Sequence, residues 1–319
     1  MVGANLMANI VDARPDNIHW GYFEAARGPV MEINSGDQVT IHTYSGAPNV
    51  TPDDSGAFTV AAAQRAIHDQ VTRRQVPGHI LTGPVAVKGA KPGMVLEVRI
   101  LDIELAADWG WNIIRPGAGA LPDDFSEERL FHIGLDRARQ IGKLPWGQEV
   151  PLAPFFGVMG VSPPADRGTL TSIIPSDFGG NLDLKHLVAG TTLYLPIFVE
   201  GANFSVGDGH AAQGNGEVCV TAIETGLNGR FELIVRDDLH FTMPRAETPT
   251  HHITMGIDPD LDEAARQALR EMITLICERS KLSREEAYAL CSICCDMEVT
   301  QLVNQHVGAH AMLLKERLP

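Results

Sequence analysis

Thr192–Ile223 reads TLYLPIFVEGANFSVGDGHAAQGNGEVCVTAI, and the reading of this stretch decides the fold class. Thr192 to Val199 is apolar and β-branched, as strands are; Pro196 inside it marks an edge or a bulge. Val206 to Cys219 is a glycine-rich polar segment that reads as a loop, with strands predicted at Val218–Ile223 and Phe231–Val235. Working outward, Gln38–Tyr44 and Met94–Leu101 also read as strands. Turn signals stand at Asn34–Asp37, Gly83-Pro84 and Lys91-Pro92-Gly93, loops at 45–56 and 106–128, and one short helix at Thr59–Thr72. Strands at this spacing without regular intervening helices predict a mainly β body, a sandwich or barrel within an α+β whole, rather than a doubly wound parallel sheet.

The character changes near residue 258. Leu269, Met272, Ile273 and Ile276 recur at helical spacing. Ser283-Arg284-Glu285-Glu286 has the capping-box form that opens a second helix, and Met297–Leu314 reads as a third. The expected organisation is a β-rich catalytic body over 1–257, with two intimately packed subdomains as one arrangement, and a helical segment over 258–319 packed on it.

The 319 residues carry 25 basic and 40 acidic side chains, a net charge of -15. Such a surface repels phosphate backbones, so nucleic acid is excluded as the expected partner. No apolar run reaches the roughly 18 residues of a membrane span, and no leader pattern opens the chain, so a cytoplasmic protein is expected. Four of the five cysteines (Cys277, Cys291, Cys294, Cys295) fall in the helical end and read as helix-face thiols rather than a disulfide framework.

The chemistry concentrates in three glycine-shaped stretches. Gly207-Asp208-Gly209-His210 leads to Gln213 and Glu217; Gly179-Gly180-Asn181-Leu182-Asp183 leads to His186; His79 sits in a turn at Pro77–Pro84. Asp oxygen and neutral imidazole nitrogen are ligands for a zinc-like ion, and Glu217 is placed to act as a general base. The plainer reading is a set of tight turns whose Asp and His satisfy local amides. Asp102 and Glu104 on one strand face offer a carboxylate-only hydrolase as a weaker option.

These residues carry a resemblance. Asn17-Ile18-His19-Trp20, His79–Pro84, Gly179–Asp183, Gly207–Val218 with Thr221–Glu224, and Leu282–Tyr288 with Cys295-Asp296 follow in the order of the acetamidase/formamidase family, which the sequence resembles over nearly its full length. The sequence departs from that pattern at Ile80, Leu182, His42, Ser45 and Asn215. The last three stand where many members carry acids. The resemblance implies hydrolysis of a short amide, formamide first and acetamide second, by a homo-oligomer with a divalent metal. The metal ligands would be Asp183, Asp208, His210 and His79, with zinc expected there and calcium a candidate for a second site. It further implies Glu217, His210 and Asp208 as catalytic groups, and Asn181, Gln213, Trp109, Trp111 and Phe204 around the substrate. Two alternatives stand beside it: Cys219 as a metal-independent nucleophile, and a non-catalytic small-molecule or metal-binding protein on the same fold.

Overall fold

Phe231 packs against both Phe156 and Phe204, with ring centroids 5.6 Å apart in each pair, and these three buried rings join two large sheets. The structure, a computed structural model, describes residues 9–53, 56 and 58–318. The reading of the extreme N-terminus and part of the loop expected at 45–56 lie outside the described residues.

Phe231 belongs to a nine-stranded sheet. Its order is Asn9–Val11, Asp37–His42, Leu227–Arg236, Val95–Leu105, Thr192–Pro196, Arg245–Glu247, His251–Asp258, Val307–Leu314 and Cys295–Gln301. Phe156 and Phe204 belong to an eleven-stranded sheet in which Phe204–His210 is central. It pairs on one side with Phe155–Gly160, and on the other with Ile80–Val87 and Glu224–Thr225. Most of the buried apolar side chains, among them Leu81, Val98, Ile100, Val158 and Leu233, fill one core shared by the two sheets. The fold is thus dominated by β-sheet, with limited helix: α1 (Ala62–Gln70), α2 (Leu261–Arg279) and α3 (Arg284–Cys294).

Three expectations are corrected. The glycine-rich segment predicted as a loop begins as the central strand Phe204–His210, whereas Val218–Ile223 is irregular and only Glu224–Thr225 pairs. Trp109–Ile114 is a strand within the stretch read as irregular. Met297–Leu314 is not a helix: Cys295–Gln301 and Val307–Leu314 form antiparallel strands. β-branched Val299 and Thr300 favour extended backbone. Alternate residues Ala311 and Leu313 bury against Met272 and Ile276 of α2 and Cys291 of α3.

The helices are built as their sequences predict. Asp260 caps α2 by accepting from the Asp262 and Glu263 amides, and Ser283 and Glu286 form the reciprocal capping box of α3. No disulfide links the five cysteines. Helix α2 lies so close to the sheet that a Cβ on Gly256 would stand 1.8 Å from the Ala264 carbonyl oxygen. Gly256→Ala is therefore expected to destabilise the fold by about 1–3 kcal/mol, read from the midpoint of urea unfolding.

Glu247 ties the end of α2 and the C-terminal residues to this sheet. It accepts from Arg279 Nη2 at 2.7 Å and Lys315 Nζ at 2.9 Å. Burial alone would raise its carboxyl. Hydrogen bonds from His252 and Lys315 and the charge of Arg279 outweigh burial and hold it down at about 2, below its ordinary 4.5. Such a group stabilises the native chain above its unfolded value and loses that contribution as pH falls through its folded value. The stability gap between wild type and Glu247→Gln is expected to close between pH 4.5 and about 2, followed by urea unfolding at stepped pH.

Candidate metal centre

The central strand Phe204–His210 is squeezed between its neighbours. A Cβ on Gly207 would meet Ile80 O at 2.3 Å, and one on Gly209 would meet Thr225 O at 2.4 Å. These glycines permit close backbone approach and so fix where Asp208 and His210 stand. Asp208 itself has φ +56°, and two more acids, Asp183 (+46°) and Glu217 (+43°), are also left-handed. That conformation is uncommon for non-glycine residues and persists where surrounding structure over-determines it.

The three acids and Glu224 surround His210, which is wholly buried. His210 Nε2 lies 3.1 Å from Glu224 Oε1, 3.2 Å from Asp208 Oδ2 and 3.8 Å from Glu217 Oε1. Ligand atoms of Asp183, His210 and Glu217 fall within 4.8 Å of one another, as do those of Asp208, His210 and Glu224. Asn304 Nδ2 donates to Asp183 Oδ2 at 2.6 Å, and Ser45 Oγ to Glu224 Oε2 at 3.2 Å. Gly157 leaves the space: a Cβ there would stand 2.4 Å from Asp183 Oδ1 and 2.6 Å from Asp208 Oδ2.

The electrostatics are those of a site short of positive charge. Burial raises Asp183, and raises Glu217 well above the usual carboxylate range with the Asp183 charge adding to it. Burial also lifts Glu224 to about 7, against the pull of His210. Asp208 goes the other way: despite burial, the charges of His79 and His210 lower it. For His210, burial favours the neutral ring, but Glu224 and Asp208 outweigh it and push the ring upward. One imidazole does not balance four carboxyls, and a divalent cation would offset two of the four charges.

The donors fit such an ion. His210 Nε2 and Asp183 Oδ1 are buried without a hydrogen-bond partner. Gln213 Oε1 stands 2.9 Å from His210 Nδ1, the arrangement that places the proton on Nδ1 and leaves the Nε2 lone pair free. Oxygen donors with one imidazole nitrogen suit a divalent ion of the zinc class.

The remaining sequence candidates fall as follows. His79 Nε2 stands 3.7 Å from Asp208 Oδ2 at the more open edge, its Nδ1 against Ser172 Oγ. Gln213 also donates from Nε2 to Asp183 O, so it braces two of the five residues. Asn181 Nδ2 donates to Ile173 O, while its backbone carbonyl accepts from Asn304 and its Oδ1 has no partner. Trp109 donates to Thr59 O and packs with Trp111, Val50, Val60 and Ile113; Phe204 lies in the inter-sheet core. Trp111 is the strand partner of Glu224. Cys219 Sγ accepts from Asn112 Nδ2 at 3.2 Å, and of the strand pair Asp102 and Glu104, the latter is exposed. Glu224, Asn304, Gly157 and Ser45 were not assigned to the site from sequence. Glu224 and Ser45 carry a local signal, Glu224 as the last residue of the long signature and Ser45 as a departure where many family members carry an acid.

The acetamidase/formamidase family model matches residues 26–170 and 165–314. The chain belongs to the acetamidase/formamidase family. Its architecture matches an acetamidase structure from Bacillus halodurans (TM-score 0.83, 30% identity, 97% of this chain and 99% of that one). A predicted acetamidase/formamidase from Thermoanaerobacter tengcongensis is similar too (TM-score 0.83, 27% identity, covering 97% and 96%). In sequence, the chain is 29% identical over 192 residues to a formamidase of Methylophilus methylotrophus, covering 44% of this chain and 47% of that relative. It is 27% identical over 236 residues to an acetamidase of Mycolicibacterium smegmatis, covering 56% of each. The chain thus spans about half the length of the curated relatives it matches.

For this family member, the departures noted in the sequence now have places. Ser45 donates to Glu224 at the centre; His42 pairs with Asp12 at 3.0 Å; Asn215 donates to Glu298. Gly157→Ala puts a methyl against the Asp183, Asp208 and His210 side chains. It is expected to cost the purified chain about one divalent ion relative to wild type, measured by elemental analysis, with far-UV circular dichroism unchanged. Wild-type metal content in that variant would contradict the assignment.

Proposed function

We propose that this chain hydrolyses a short linear amide to a carboxylate and ammonia, with formamide the leading substrate and acetamide the second. The observation that carries the reading is the convergence of Asp183, Asp208, His210, Glu217 and Glu224 on one buried point. The family membership supplies the reaction class, and the two named relatives supply the substrate candidates. Asp208, His210 and Glu224 hold a divalent ion of the zinc class in this reading, with Asp183 a further oxygen donor and His79 at the edge. When bound, such an ion polarises a carbonyl and lowers the pKa of water.

The chain's own groups do the rest. Glu217 is wholly enclosed, and burial together with the Asp183 charge gives it proton affinity well above an ordinary carboxylate. A raised proton affinity favours the proton-accepting role of a general base. Glu217 accepts the proton of the attacking water and returns it to the departing nitrogen, so that amide and water become carboxylic acid and ammonia. Gln213 holds His210 in the required tautomer, and Asn304 holds Asp183. The crowded, largely buried site suits small acyl groups. One methylene in such a pocket is worth only about 1–3 kcal/mol, so formyl and acetyl substrates overlap.

No helix of the described residues is long and apolar enough to cross a membrane. A neutral amide needs no electrostatic attraction, which accords with the net charge of -15. We assign the chain to the cytoplasm and to a homo-oligomer as part of the same reading.

The test is ammonia release from formamide and acetamide with matched metal analysis. Glu217→Gln is expected to lower kcat by about 10²–10⁴ while metal content is kept. Removing metal with a chelator is expected to abolish turnover, and zinc to restore it. Full ammonia release by metal-free chain, or by Glu217→Gln, would overturn the mechanism.

A further inference from the structure

A second cluster lies outside the five-residue centre, where the C-terminal strands meet the loop that follows Asp183. His310 stands in the strand Val307–Leu314, Glu298 in its partner strand Cys295–Gln301, and His186 three residues after Asp183. Ligand atoms of the three lie within 4.8 Å of one another. His310 Nε2 is 3.6 Å and His186 Nε2 is 3.8 Å from Glu298 Oε2. Two tetrahedral ligands, each at about 2.0–2.1 Å from a metal, stand about 3.4 Å apart, so these separations need only a small adjustment around an ion.

The nitrogens are free to bind. His310 is wholly buried, and neither its Nε2 nor the buried Nε2 of His186 has a hydrogen-bond partner. The other nitrogen of His310, Nδ1, is 2.7 Å from Thr300 Oγ1, a contact that orients the ring with Nε2 toward Glu298. Burial and the neighbouring cationic groups favour the neutral form of both rings, the form that ligates a metal. Asn215 donates to Glu298, and its own buried carbonyl oxygen has no partner. The Glu298 and His186 side chains are 34% and 25% exposed, so a position open to solvent remains.

We propose that His186, Glu298 and His310 form a second divalent-metal site, selective for transition-metal ions of the zinc and cobalt class, with Asn215 as its adjoining amide. Two imidazoles and one carboxylate are the donor set of open zinc sites, whereas calcium takes oxygen ligands. The ion would staple three segments: the loop that carries Asp183, the two C-terminal strands, and, through Asn215, the segment that carries Glu217. The site stands on its own residues and does not depend on the reaction proposed above.

The test strips the full chain with a chelator, reloads it with Co²⁺, and reads cobalt per chain together with the visible absorption of the bound ion. The wild type is expected to hold two ions. His186→Ala and the milder Glu298→Gln are each expected to lose about one and to lose its share of the spectrum, with unchanged circular dichroism. A tenfold excess of Ca²⁺ is expected to leave the spectrum intact. Wild-type cobalt content and spectrum in both variants would overturn the site, as would displacement by Ca²⁺. Asp208→Asn separates the two readings. If it keeps every ion while His186→Ala loses one, the second site stands and the metal at the proposed catalytic centre falls.

Discussion

Four carboxyl groups buried around one imidazole are the constraint on which the rest of this molecule depends. Each carboxylate taken from water costs several kcal/mol unless it is paired, and like charges at this range oppose one another. The ion pairs that these acids make are with the imidazoles of His210 and His79. Asp183 accepts from the Asn304 amide, and Glu224 accepts from the Ser45 hydroxyl and the Ala222 backbone N–H, while His210 Nε2 is left without an aligned partner. Such an arrangement is costly without a cation, and a bound cation would offset part of that cost.

Holding such a cluster requires stiffness from elements distant in sequence. The central strand supplies Asp208 and His210 and is gripped on both sides, while the Phe156–Phe231–Phe204 contacts clamp its sheet to the other. Glycines at 157, 207 and 209 are positions where side chains would collide with the site or with neighbouring backbone. The C-terminal strands contribute Asn304 through the turn between them, 121 residues from the Asp183 it holds. The tail is therefore part of the site's support, although only one of its residues reaches the acids.

The sequence made some of this legible. Asp183, Asp208, His210 and Glu217 were visible because polar residues among clustered glycines stand out against an apolar β pattern. The capping box at Ser283–Glu286 was visible because its rule is local. Other features were hidden for physical reasons. Gly207 and Gly209 read as turn residues, because glycine serves both turns and close-packed strands; only the neighbours at Ile80 and Thr225 decide between them. Gly157 has no local signature at all, since its meaning lies in the void it leaves. Asn304 and Ser45 act across long sequence separations. The tail strands were missed because Ala-, Leu- and Met-rich residues suit helices until the burial of alternate residues beneath α2 is known.

In the proposed centre His210 Nε2 is a metal ligand and not a proton donor. Anomalous diffraction at the zinc edge, from crystals of the full chain grown with zinc, tests this most directly. The predicted result is a peak among Asp208, His210 and Glu224, with ligand distances of about 2.0–2.2 Å. The contradicting result is no anomalous peak there, with His210 Nε2 hydrogen-bonded to Asp208 and Glu224 as a protonated ring.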